Sequence, residues 1–232
     1  TVENDITHGL KKALSALKAQ VGEEPLSFRH KLACSSAKGG LRMVAIGLVP
    51  ELTAEAARRA ALGAGARILG LYSYKLTSEE LAEIVNLSPD MILLAGGTDG
   101  GDSRVILHNA KALARSRIEA PIVVAGNKEM AEEIETLLKA RNSLEVRITE
   151  NVMPRLNQLN VEPVRRIIRQ LFIEHIVEAK GFSKAEELID GILMPTPEAA
   201  LRAAKLLAEG TEEEEGWGEL MVVDVGGATT DV

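Results

Sequence analysis

Residues 221–232 (MVVDVGGATTDV) set an apolar run ahead of an acid, a Gly-Gly pair, two threonines and a second acid. An apolar run that meets two glycines reads as a buried strand turning sharply. Gly226 and Gly227 would let backbone N–H groups come close to an anion such as a phosphate. Thr229 and Thr230 add hydroxyl donors, and Asp224 or Asp231 is suited to hold a hydrated Mg²⁺. The same spacing also suits an ordinary hairpin, so two readings stay open at this point.

A second glycine-rich segment, MILLAGGTDGGDSR (Met91 to Arg104), follows an apolar run and precedes a helical pattern. Ligands of α/β sheets bind beyond the carboxyl ends of strands, and a helix start offers free N–H groups. Gly96, Gly97, Thr98, Asp99, Gly100 and Gly101 therefore form a candidate ligand loop. It has neither GxGxxG spacing nor the GK[ST] ending of a P-loop. Asp99, Asp102 and Ser103 also suit simple capping of the next helix. A structural or partner loop is the favoured reading, with ligand binding as the lesser one. CSSAKGGLR (Cys34 to Arg42) has the composition of an anion site but reads better as a connection. Asn127, at another strand end, reads as a helix cap. The four histidines are far apart, with no metal spacing, and His175 reads as a packed histidine on a helix. No Ser/His/Asp or Cys/His set can be assembled.

The elements that must position these loops alternate. Strands are predicted at 41–49, 67–74, 90–95, 121–125 and 144–148. Helices are predicted at 53–64 with Thr53 as cap, from Thr77 or Ser78, at 103–116 and at 128–140. Alternation of this kind predicts an α/β fold with a doubly wound, mostly parallel sheet. A helix over 5–20 and a strand within 28–36 come before it. Helices from about Glu162, over 182–192 and after Met194 come behind, the last with Thr196 as cap and Pro197 in its first turn. The acidic run Glu212 to Glu215 reads as a solvated loop. Three parts are expected: an N-terminal helix and connection (1–40), an α/β layer (41–150), and a helical segment leading into the start of another lobe (151–232).

The chain has 232 residues, 46% hydrophobic but only 3% aromatic, with a net charge of −7. Few aromatic platforms and an acidic balance argue against nucleic acid as a partner. A single cysteine, Cys34, offers no disulfide or thiolate cluster and reads as a small buried or half-exposed thiol. No apolar run is long enough to span a membrane and no signal peptide is evident, so a cytoplasmic location is expected.

VVDVGGATTDV resembles the second phosphate motif of the actin/Hsp70/sugar-kinase ATPase superfamily. By that resemblance Gly226, Gly227, Thr229 and Thr230 would hold the β/γ-phosphates of ATP. Asp224 would serve catalysis by contacting Mg²⁺ through water, and Asp231 would close the turn. The preceding MPTPEAALRAAKLLAEG resembles the superfamily's small-residue connecting helix, although helix propensity alone explains its alanines. AGGTDGG faintly resembles the superfamily's adenosine motif, but it precedes the phosphate motif where the family order is the reverse.

SSAKGGLRMVAIGLVPELTAEAARRAALGAGARIL, LLAGGTDGGD, ITENVMPRLNQLNVEPVRR and VVDVGGATTDV together resemble the glutamate mutase accessory (GlmL/MutL-type) family. The resemblance implies an ATP-dependent reactivating chaperone whose partners are adenosylcobalamin-dependent mutase subunits, with ATP and Mg as cofactors. A homo-oligomer is compatible with it. It also implies that the 232 residues are a fragment, with the first phosphate motif upstream, that binds ATP weakly or not at all. The contrasting expectations are an α/β module that binds a partner or ligand without ATPase activity, and a small-molecule kinase of the same superfamily.

Overall fold

The computed structural model describes residues 6–21, 29–35, 41–141, 143–177, 190–225 and 230–231. Helix α1 (Ile6–Val21) is followed by strand β1 (Leu32–Ser35). An alternating series then runs β2 (Leu41–Gly47), α2 (Glu55–Gly63), β3 (Ala66–Ser73), α3 (Ser78–Leu87), β4 (Met91–Leu94), α4 (Arg104–Arg115), β5 (Ile122–Val124), α5 (Ala131–Lys139) and β6 (Val146–Ile148). Helix α6 (Val161–Phe172), strand β7 (Gly191–Pro195), helix α7 (Thr196–Glu209) and the short strands β8 (Asp224–Val225) and β9 (Thr230–Asp231) complete the described chain.

The five central strands form one wholly parallel sheet in the order β3-β2-β4-β5-β6. This confirms the doubly wound α/β fold. Strand side chains alternate between faces, and here both faces are apolar. Met43, Ala45, Met91, Leu93 and Val123 point into a core completed by α2 and α6. Val44, Ile46, Ile92, Leu94, Ile122 and Val124 point the other way, against α3, α4 and α5. Each fully buried Leu, Ile or Met contributes about 1.5–3 kcal/mol of transfer free energy. Helix α2 lies close to the sheet because its buried residues are alanines (Ala56, Ala57, Ala60 and Ala61). Helix α6 turns Val164, Ile168, Leu171 and Phe172 into the same core.

The helix starts show where local chemistry agrees with expectation and where packing overrides it. Thr77 caps α3 in a reciprocal box: its hydroxyl accepts from Glu80 N at 3.2 Å, and the Glu80 carboxylate accepts from Thr77 N at 2.8 Å. Asn127 caps as expected, its Oδ1 accepting from Glu129 N at 3.1 Å. Thr53 does not cap α2. It is buried inside a π-helical turn (Pro50–Ala54), where its hydroxyl accepts from Leu48 N (2.7 Å) and Val49 N (3.3 Å). Those two N–H groups leave the end of β2 without strand partners, so the threonine satisfies them there.

Other expectations shift too. Gly191 and Ile192, expected to end a helix, begin β7, which pairs in parallel with β1; residues 182–189 of that expected helix lie outside the described residues. Helix α7 begins at Thr196 itself and has no side-chain cap, with Pro197 in its first turn. His175 is exposed rather than packed, and its Nε2 meets the Glu145 carboxylate. Cys34 is exposed on β1. The acidic run at 212–215 is solvated, as expected.

Candidate functional site

Two sequence-derived sites have to be placed. The first lies at the end of the described chain. Asp224–Val225 and Thr230–Asp231 pair antiparallel, in the register Asp224↔Asp231 and Val225↔Thr230. A strand paired with a returning strand fits both readings left open by the sequence, the ordinary hairpin and the phosphate turn. The connecting residues Gly226, Gly227 and Thr229 lie outside the described residues. Asp224 is half-buried and stands opposite a second acid. Asp224 is the described acid here, and a carboxylate is a donor type that suits a hard ion such as Mg²⁺.

The strand leading into Asp224 is shorter than the apolar run suggested. Met221, Val222 and Val223 have irregular backbone and are exposed, Met221 at 79%. Among the described residues no strand pairs with them, so the period of the sequence has no sheet to act on.

The second site is the loop after β4, at the carboxyl end of the central sheet. Its glycines are used for close approach. Gly97 has φ +71°, and a Cβ there would stand 2.2 Å from the Asp102 carbonyl oxygen. In the next loop, a Cβ on Gly126 would stand 2.8 Å from the Gly96 carbonyl oxygen. The polar groups are turned inward. Asp99 Oδ1 accepts from Lys128 N (3.1 Å) and from Asn151 Nδ2 (2.9 Å). Asn151 Nδ2 also donates to Gly97 O (3.0 Å), and its Oδ1 accepts from Met153 N (3.0 Å). Asn127 Oδ1 accepts from Gly100 N (3.2 Å), and its Nδ2 donates to Gly101 O (3.3 Å). Asp99 N donates to Pro154 O (3.1 Å). Asp102 Oδ1 accepts from Val105 N (3.0 Å) and so caps α4.

The loops after β4, β5 and β6 are thus tied into one knot by Asp99, Asn127 and Asn151. Gly96 to Gly101 come together there, but with much of their hydrogen-bonding capacity spent on each other. Asp99, Asn127 and Asn151 thus spend their polar groups on tethering the loops to one another. Asn151 is the member that sequence reasoning missed. The signal was an uncharged polar residue in the turn directly after β6, a place where a buried amide often tethers neighbouring loops.

A shallow cavity of about 200 Å³ lies at the opposite, amino end of β4 and β5, lined by Ile84, Val85, Pro89, Arg117 and Ile118 among others. It touches neither site. Among the described residues no cluster of three His, Cys, Asp or Glu is placed to bind a metal. No described helix is long and apolar enough to cross a membrane.

The family model described as "MutL protein" matches residues 1–232, the whole chain. The chain belongs to the MutL protein family. It is 60% identical over 232 residues to the curated "Protein MutL" of Clostridium tetanomorphum. That match covers 100% of this chain and 50% of the relative, so the chain spans about half the length of the MutL protein it matches. Membership agrees with the family resemblance carried by residues 33–232.

A residue pair also joins α6 to α7 in the MutL-family chain. Glu198, in the first turn of α7, is only 2% exposed. Arg169 of α6 grips it through two nitrogens, Nε lying 2.9 Å from Oε2. Arg202 adds a third contact, Nε to Oε1 at 3.0 Å. A bidentate, nearly dry pair of this type fixes geometry in a way that exposed pairs do not.

Proposed function

We propose that this chain is part of an ATP-dependent reactivating factor for an adenosylcobalamin-dependent mutase of the glutamate mutase type. The observation that carries the reading is the β8–β9 pairing, which sets Asp224 across from Asp231 at the mouth of the segment holding Gly226 and Gly227. Membership of the MutL family supports the same reading.

ATP with Mg²⁺ would supply the free energy of phosphoanhydride hydrolysis. The chain's own part is to hold that group. Backbone N–H groups of Gly226 and Gly227 and the hydroxyls of Thr229 and Thr230 would face the phosphates, and Asp224 would face the metal through water. Asp231 would close the turn. Binding that favours one of two conformations would then shift the α/β layer between states that hold and release the mutase. In this reading the loop from Gly96 to Gly101 is a rigid contact surface rather than a ligand cradle.

The test uses full-length protein and a phosphate-release assay, with and without mutase. Turnover stimulated by mutase is the expected result. Asp224→Ala should lower turnover about 10- to 100-fold, the range seen when a group supporting a bound metal is lost. Unchanged turnover in that variant removes Asp224 from its role. ADP release that depends on a small-molecule acceptor would instead identify a kinase. No turnover with either partner would leave a binding module.

A further inference from the structure

Large apolar side chains left in solvent are unevenly placed in this molecule. Of sixteen exposed among the described residues, nine are Leu32 or lie between Leu193 and Val223, whereas three are scattered over the whole α/β layer. Scattered single residues are normal on any protein surface, but a concentrated patch marks a contact.

Most of the nine lie on elements that touch, since α7 packs against both β1 and β7. Helix α7 carries Ala199, Ala203, Leu206 and Leu207 at helical spacing, and its one buried residue is the charged Glu198. Leu206 and Leu207 are both exposed. Trp217 N donates to Leu207 O at 2.9 Å and Gly218 N to Ala208 O at 3.1 Å, which lays the following segment against the end of α7. Trp217 is 77% exposed, and Met221, Val222 and Val223 continue from it in solvent. Leu32 and Leu193 sit on β1 and β7, a two-stranded parallel sheet standing by itself among the described residues. Parallel strands are normally covered on both faces, and an isolated pair is marginal in water.

We propose that this face is interior in a protein of MutL length. The occupant is further polypeptide of the same protein, which extends the β1–β7 sheet and covers α7 and Trp217. The length relation supports this choice, because a relative 60% identical over this whole chain is about twice as long. Charge argues against a second copy of the 232 residues as the occupant. The exposed run Glu212 to Glu215 leads directly to Trp217, so two copies meeting here would bring two acidic runs together in a chain already at −7.

Trp217 is the single tryptophan of the chain and reports on this face directly. Its fluorescence should be measured in the 232-residue chain and in the full-length protein, with any additional tryptophans replaced by phenylalanine. In the short chain Trp217 should show water-like emission and ready quenching by iodide at all concentrations. In the long chain its emission should shift to the blue, and quenching should fall several-fold. Hydrogen exchange at the α7 amides should slow in parallel, a readout that needs no substitution. Equal quenching and equal exchange in both proteins overturns the proposal. Protection in the short chain that grows with its concentration also overturns it, and assigns the face to self-association. Protection of the long chain only after mutase is added overturns it in favour of the partner. None of these readings requires nucleotide, so the result is independent of the proposed ATPase function.

Discussion

Removing the Arg169 side chain should reveal how strongly α7 is held to the α/β layer. Glu198 is 2% exposed and Arg169 is 21% exposed, so the pair is almost dry on the carboxylate side. Breaking a buried pair by deleting one partner costs about 3–5 kcal/mol, mostly because the remaining charge is left uncompensated. Arg202 stays within 2.9 Å of Glu198 and is half exposed, so it recovers part of that loss. Arg169→Met, which keeps most of the apolar stem, should therefore cost about 2–4 kcal/mol. Arg202→Ala alone should cost about 1 kcal/mol or less, as exposed pairs do. The double variant Arg169→Met/Glu198→Leu removes both charges and should return to within about 1 kcal/mol of the parent. Urea unfolding at pH 7, followed by circular dichroism, gives each value by linear extrapolation, and an unchanged slope shows that the same surface is exposed in every variant. A cost below about 1 kcal/mol for Arg169→Met would refute the reasoning. So would a double variant as unstable as the two single changes summed.

Asn151→Leu should destabilise the chain by about 2–4 kcal/mol, because the buried Gly97 carbonyl, Asp99 and Met153 N–H each lose a partner; urea unfolding measures it, and a change under about 0.5 kcal/mol would show that the knot carries little. Hydrogen bonds from Arg58 and then Arg59 hold the Glu55 carboxyl down to about 2, below the usual carboxylate range. A depressed value stabilises the fold above the unfolded carboxyl's own titration, and the stabilisation is lost as pH falls toward 2. Both arginines are substantially exposed, so Glu55→Gln should cost about 1 kcal/mol or less at pH 7. The gap in urea midpoint between parent and variant should narrow steadily from pH 6 to pH 3, and a constant gap would exclude ionisation as its source.

The central sheet was legible because its strands are apolar on both faces and punctuated by short polar turns. Leu41–Gly47 and Met91–Leu94 contain almost nothing but buried positions, which periodicity and length identify together. The capping box at Thr77 was legible for a local reason, since both partners lie within one turn of helix. Thr53 was misread because the same residue type serves as cap or as a satisfier of a strand end, and only the preceding Leu48 and Val49 N–H groups decide between them. Arg169–Glu198 and Asn151–Asp99 join residues 29 and 52 positions apart. No window of local sequence carries such a pairing. A hairpin after Asp224 was one of the two readings its residue order allowed, whereas the exposure of Met221 to Val223 depends on which strands stand beside them.

If the proposed nucleotide site at the hairpin is occupied, the Glu198 cluster bears on how it would act on the layer. The first turn of α7 is seated against the α2–β3 turn, where Gly65 has φ +76° and Glu198 N would lie 3.0 Å from any Cβ added there. Its last turn is bonded to Trp217 and Gly218, which lead to β8. One end of α7 is therefore held by charge-assisted bonds of fixed geometry, and the other by the segment that carries Asp224. Apolar side chains along the helix can slide by small amounts, but a bidentate arginine–carboxylate pair tolerates little change in distance or plane. A displacement arriving from the hairpin should accordingly shift α7 along its length, carrying α6 with it through the Arg169–Glu198 pair. Because α6 is part of the same core as β2, β4 and β5, the sheet would move as a body rather than deform. The knot of Asp99, Asn127 and Asn151 fixes the loops at the far end of that sheet, so any contact surface they present would keep its shape while its position changed.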